Sequence, residues 1–136
     1  MKVLPDTSVW SLSLRRKASA ALNKDQLRLK DSLAEAIGDG RVVIVGPIRQ
    51  ELLSGIKDRS QFERLKHTLR SFVDEPLDRR DYEEAAYFYN LCRSRGVECG
   101  AIDILICSVA IRRDWLILAH DEALNRCFEI VRSAAS

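Results

Sequence analysis

Two short runs, Arg41-Val42-Val43-Ile44-Val45 and Trp115-Leu116-Ile117-Leu118-Ala119, constrain the fold of this chain more than any other feature. Both are apolar almost throughout instead of alternating with polar residues, the pattern of strands covered on both faces. A third run, Lys2-Val3-Leu4, is ended by Pro5. Between these runs lie segments with helical spacing. Asp25 to Ile37 carries Leu27, Leu29, Leu33, Ala34 and Ile37, and Gly38-Asp39-Gly40 closes it. Pro47 suits a first helical turn that continues through Ile48, Leu52, Leu53 and Ile56. Phe62, Leu65, Leu69 and Phe72 mark another helix, and Arg79 to Arg95 a long amphipathic one. Gly96 and Gly100 bracket a turn. Ile102 to Ile111 is apolar nearly all round, which predicts a buried helix, and Asp121 to about Phe128 a short last one. Strands alternating with helices predict an α/β domain with a central, mainly parallel sheet. In such sheets, sites form beyond the carboxyl ends of the strands.

The 136 residues fit a single domain, 1–136. A charged fraction of 31% beside 46% hydrophobic residues excludes a disordered tail. The formal net charge of +2 is too small for the whole molecule to act as a polycation, so any grip on nucleic acid must come from local clusters. The opening apolar stretch is shorter than a signal sequence requires, and no later run reaches membrane-spanning length. Cys92, Cys99, Cys107 and Cys127 form no CxxC pair, which predicts reduced, mostly core-filling thiols in a cytoplasmic protein.

Four acids stand where acids are unusual. Asp6 follows the first strand, and Asp121 follows the last with only His120 between. Asp103 interrupts Ala101-Ile102-Asp103-Ile104-Leu105-Ile106, and Glu51 lies about one turn into the helix after the second strand. All four belong at the same end of a parallel sheet. Each also has a plain structural reading: Asp6, Asp103 and Asp121 as helix caps, Asp103 alternatively as a buried partner of an arginine, and Glu51 as a solvated charge. Together they imply more. Two like charges about 4 Å apart repel by roughly 4 kcal/mol at an effective dielectric of about 20, so carboxylates sharing one crevice need protons or a cation. An oxygen-only set without His or Cys pairs points to Mg²⁺ or Mn²⁺. Most other acids sit where charges are ordinary, among them Asp78, Asp81, Glu83 and Glu84 at a helix start, and Glu63, Glu98, Asp114 and Glu129 on solvated surface.

Four pieces of the chain, in order, resemble the PIN-domain ribonucleases, and among them the VapC-like toxins of toxin–antitoxin pairs. They are Val3-Leu4-Pro5-Asp6-Thr7-Ser8-Val9-Trp10, Pro47-Ile48-Arg49-Gln50-Glu51-Leu52-Leu53, Ile102 through Ala110, and Leu116-Ile117-Leu118-Ala119-His120-Asp121. The resemblance implies a three-layer α/β/α sandwich and a metal-dependent endoribonuclease, with RNA as substrate, a cognate antitoxin as inhibitor and a homodimer as assembly. It implies that Asp6 and Asp103 are the principal ligands of Mg²⁺ or Mn²⁺. Glu51 and Asp121 complete the site, partly through water, and Thr7 and Ser8 support it. Hydrolysis by water attack leaves 5′-phosphate and 3′-hydroxyl ends.

Three departures from the family's pattern follow. Pro5 predicts that the first strand ends early. His120 replaces a small polar residue, and Ala123 stands where a further acid is common. For phosphate contact the leading candidates are Arg15, Arg16 and Lys17; Arg49, Arg112 and Arg113 are further ones, each equally read as a solvated charge. The apolar residues Leu53, Ile56, Phe62, Leu65 and Leu69 exceed an evident core and suggest an antitoxin groove. Two other functions compete: an aspartate-nucleophile phosphatase, against which Ser8 replaces the usual second Asp, and a non-catalytic RNA- or protein-binding module.

Overall fold

The computed structural model describes residues 1–14 and 21–135. Strand β1 (Val3–Pro5) leads into α1 (Thr7–Leu14), followed by α2 (Lys24–Gly38), α3 (Gly46–Leu53), α4 (Arg59–Leu69), α5 (Arg79–Ser94), α6 (Ala101–Arg113), β2 (Leu116–Leu118) and α7 (Glu122–Ala135). β1 pairs in parallel with β2, Val3 opposite Leu116 and Pro5 opposite Leu118. On its other side Val3 bridges Val42 in parallel, and Ile44 in turn bridges Asp74 in parallel. The sheet is therefore parallel with β1 inside it, an α/β architecture as expected. The closest helix packing falls into two groups, α1 with α2 and α3 and α3 with α4, and α5 with α6 and α7.

The RVVIV run is extended but contributes bridges instead of a regular strand. Pro5 is the physical reason. Val3 N–H donates to the Arg41 carbonyl and its own carbonyl accepts from Val43 N–H. The next rung on that side needs an N–H at residue 5, and proline has none. The other side is unharmed: Asp6 N–H donates to the Leu118 carbonyl at 2.8 Å. Pro5 thus interrupts one ladder without ending β1 early.

The core is built as the apolar patterns require. Leu4, Trp10, Leu33, Ile44, Ile48, Leu52, Leu69, Ile104, Ile106 and Leu124 are fully buried. Every residue from Ile104 to Ala110 is buried, as expected for α6. Cys92, Cys107 and Cys127 are buried and Cys99 partly so, all unpaired. Burial pushes the thiols of Cys92 (to about 11), Cys99 and Cys107 up, which suits inert filler. Three expectations change. Leu65 and Leu69 belong to the core, leaving Leu53, Ile56 and Phe62 half-buried. β2 is half-covered, with Leu116 48% exposed. α7 runs to Ala135, because Leu124, Cys127 and Val131 keep one buried stripe well past Phe128.

Candidate active site

Asp6 leaves β1 at its carboxyl end and opens α1. Its carbonyl accepts from Val9 N–H and Trp10 N–H at 3.0 and 3.2 Å, so it does start the helix. Its carboxylate is also one of few buried charges, at 5% exposure. Burial raises its pKa, the nearby Glu51 charge adds to this, and hydrogen bonds from the Ser8 hydroxyl and the Thr7 and Ser8 backbone oppose it. The Ser8 hydroxyl donates to Asp6 Oδ2 at 2.8 Å. Thr7, one residue along, instead donates its hydroxyl to Glu51 Oε1, linking α1 to α3. Thr7 and Ser8 therefore each orient a different carboxylate.

Asp103 occupies the first turn of α6, which Gly100 caps. Its carboxyl folds back over Gly100: a Cβ at residue 100 would stand 3.3 Å from Asp103 Oδ2. The Gly100 backbone also hydrogen-bonds it. Asp103 is thus neither an N-cap nor the partner of a buried arginine. Its pKa is pushed up to about 6, first by burial and then by the charges of Asp6, Asp121 and Glu51. Asp121 caps α7, its Oδ1 accepting from Ala123 N–H at 2.8 Å and its carbonyl from Asn125 N–H at 3.0 Å. His120 beside it is exposed.

Four segments far apart in sequence thus place Asp6, Glu51 and Asp121 within electrostatic reach of Asp103, and Glu51 within reach of Asp6. They are not gathered into a cage: among the described residues no three His, Cys, Asp or Glu side chains form a group that could hold a metal ion. Each carboxylate is turned to its own local donor, namely Ser8, Thr7, Gly100 or Ala123. The donor set itself, all carboxylate with its most buried members raised in pKa, fits a hard divalent cation. Such a set can balance cationic charge and hold water or a phosphodiester beside it.

The arginines are used elsewhere. Arg49 ties α3 to the end of α4, donating to the Leu69 and Phe72 carbonyls at 2.9 and 2.6 Å and pairing with Asp74 at 2.9 Å. Arg112 and Arg113, at the far end of α6 from Asp103, pair with the two oxygens of Asp81, each at 2.8 Å. These three arginines are structural, which corrects their reading as substrate contacts. Asp81 is 1% exposed and also completes a capping box with Asp78. An acid at a helix start gave no sign of that burial. Arg15, Arg16 and Lys17 lie outside the described residues.

Comparison with curated protein sequences gives no match. The PIN domain family, a fold that generally serves metal-dependent nucleases, matches residues 3–128. The match runs from β1 into α7 and so spans all four acids. Parallel sheet, helical layers and sequence match agree, and the chain belongs to the PIN domain family.

Proposed function

We propose that this chain is a metal-dependent endoribonuclease, formed by one domain over residues 1–136 and acting in the cytoplasm as the toxin of a toxin–antitoxin pair. The observation that carries the reading is Asp103, an acid in the apolar first turns of α6 whose proton affinity is raised by burial and then by three other acids from three other elements. Asp6 and Asp103 would hold Mg²⁺ or Mn²⁺, with Glu51 and Asp121 completing the set. A divalent cation bound there would supply Lewis acidity, easing deprotonation of an attacking water and offsetting charge on the phosphodiester. The chain's own part is orientation. Ser8 holds Asp6, Thr7 holds Glu51, and Gly100 lets the Asp103 carboxyl lie against the backbone without obstruction.

Inhibition by an antitoxin is supported by a cavity of about 520 Å³ beside α4, where Leu53, Phe62 and Phe72 meet Lys66 and Arg70. Three apolar side chains, with Arg49, Lys66 and Arg70 outnumbering Asp74 around them, suit an amphipathic helix bearing acids. Among the described residues no helix is long and apolar enough to cross a membrane.

The test compares wild type with Asp103→Asn on a panel of RNAs, with and without Mg²⁺ or Mn²⁺. Wild type is expected to cut in metal only, leaving 5′-phosphate ends, and to arrest growth when expressed alone. The variant should lose at least about a hundredfold in rate, the scale of removing one pre-set electrostatic group. Equal cleavage by both proteins would remove Asp103 from the chemistry. Metal-dependent RNA binding without cleavage would favour a binding module instead.

A further inference from the structure

A concave surface opens toward the end of α6 that lies away from the acids. It is a cavity of about 620 Å³ between α5, α6 and the last turn of α7, within the size range of small-molecule sites. Glu83, Tyr87 and Phe88 line it from α5, Ser108 and Ile111 from α6, and Ala135 from α7. Helical spacing sets the walls, since Glu83 and Tyr87 stand at i and i+4, and Ser108 and Ile111 at i and i+3. Ser108 lies five residues beyond Asp103, about 7.5 Å further along the α6 axis. None of the four acids lines the cavity.

Ser108 lacks the partner that its burial calls for. It is 2% exposed, yet among the described residues its hydroxyl makes no hydrogen bond. Ser54 and Thr68 each donate to the carbonyl four residues back, the usual recourse of a hydroxyl within a helix, and Ser108 does not. Nor is its oxygen sealed in: among the described residues, Trp10 Nε1 is the enclosed side-chain atom without a partner. The Ser108 hydroxyl therefore opens onto the cavity it lines. A buried hydroxyl without a partner destabilises a fold, and alanine would suit the same helical position without that penalty.

The charges around the cavity select the sign of a ligand. Glu84 is neutralised by Arg80 at 2.9 Å, and Arg112 by Asp81 at 2.8 Å and Asp78 at 3.6 Å. Glu83 is exposed and forms no ion pair among the described residues, which leaves an uncompensated negative charge at the mouth. One turn on, the Tyr87 ring is 65% exposed and packs edge-on against Phe88, with ring centres 5.4 Å apart. A free carboxylate beside an exposed aromatic face is a pairing that attracts an organic ammonium group. Phe88, Ile111 and Ala135 offer apolar wall for its body.

We propose that this cavity binds a small organic cation, an amine on an apolar body that carries a second polar group. Glu83 and Tyr87 receive the ammonium at the mouth, and Ser108 hydrogen-bonds the second polar group at the floor. The site is independent of the acids and of whether the chain cuts RNA.

Calorimetric titration with tyramine, and with 4-hydroxyphenylacetate, which keeps the ring and hydroxyl but reverses the charge, tests this. Tyramine should bind saturably and at least about tenfold tighter than the anion, the lower end for one hydrogen bond to a charged group. Glu83→Gln should remove that preference. Ser108→Ala should weaken tyramine binding about fivefold and leave the melting temperature of the free protein unchanged or higher. Asp103→Asn should bind tyramine as wild type does. Absence of saturable binding at millimolar tyramine, or equal affinity for amine and anion, overturns the proposal. Binding lost in Asp103→Asn would place the amine among the acids and overturns it as well. A lowered melting temperature in Ser108→Ala with unchanged tyramine affinity would give the hydroxyl a structural role instead. A Tyr87→Ala protein that passes from dimer to monomer with unchanged tyramine affinity would assign the face to a second copy of the chain, and the proposal fails.

Discussion

Protonation of Asp103 is where the physics of the site can be read most directly. Its carboxyl pKa of about 6 exceeds the ordinary 3.8 because burial and three neighbouring negative charges favour the neutral form. Between these values the metal-free native state holds a proton that the unfolded chain has released. Folding stability should therefore fall as pH rises from about 4 to about 6. Metal binding has the opposite dependence, since a cation must displace that proton. Mn²⁺ is expected to bind well at pH 7, to bind progressively more weakly below pH 6, and to raise the melting temperature far less at pH 5. Calorimetric titration across this range checks it; an affinity independent of pH would mean that Asp103 is not a ligand. In Asp103→Asn the dependence should flatten.

Asp103 was legible because a charge inside an apolar helix needs a cause. Asp81 was not, because an acid in a first helical turn looks the same whether it faces water or two arginines from a helix some thirty residues later in the chain.

At the level of elements, α5 and α6 are pinned together at the end away from the site. Asp81 accepts from Arg112, Arg113 and Asp78 N–H, while Arg113 also reaches the Pro76 carbonyl at 2.9 Å and lies over the Trp115 ring. Both arginines keep about a quarter of their side-chain surface in water. Asp81→Ala should then cost near the lower end for breaking a buried ion pair, about 3 kcal/mol, measured by urea denaturation. A loss under about 1 kcal/mol would show that the network is solvated. RNA affinity should not change, which separates this structural role from substrate contact. Helix existence and order followed the sequence patterns, since a buried stripe reports its own period, whereas ends shifted: α3 and α4 stop before Ile56 and Phe72, and α7 outruns Phe128. The strands did not, because whether a run forms a ladder depends on its neighbours. Pro5 removes a donor from the rung that RVVIV needed, and WLILA, equally apolar, has Leu116 half in water.

For the whole molecule, the family relationship fixes the architecture and leaves assembly to experiment. The homodimer that the VapC resemblance implies should elute with twice the 15.5 kDa of one chain by light scattering. A monomeric mass at high micromolar concentration would exclude it. The fold class was legible because alternating strands and helices with parallel runs permit few arrangements. How tightly the four carboxylates draw together was not, since each has a local donor that satisfies it.

The pairing of Val3 with Leu116 also sets a schedule for synthesis. β1 leaves the ribosome first, yet the strand that completes its ladder on one side, and the helix end that brings Asp103 to Asp6, emerge more than ninety residues later. Whatever packs earlier, Asp103 cannot join Asp6 until α6 has been synthesised. The acid cluster, which needs Asp121 as well, is therefore complete only after β2 has been made.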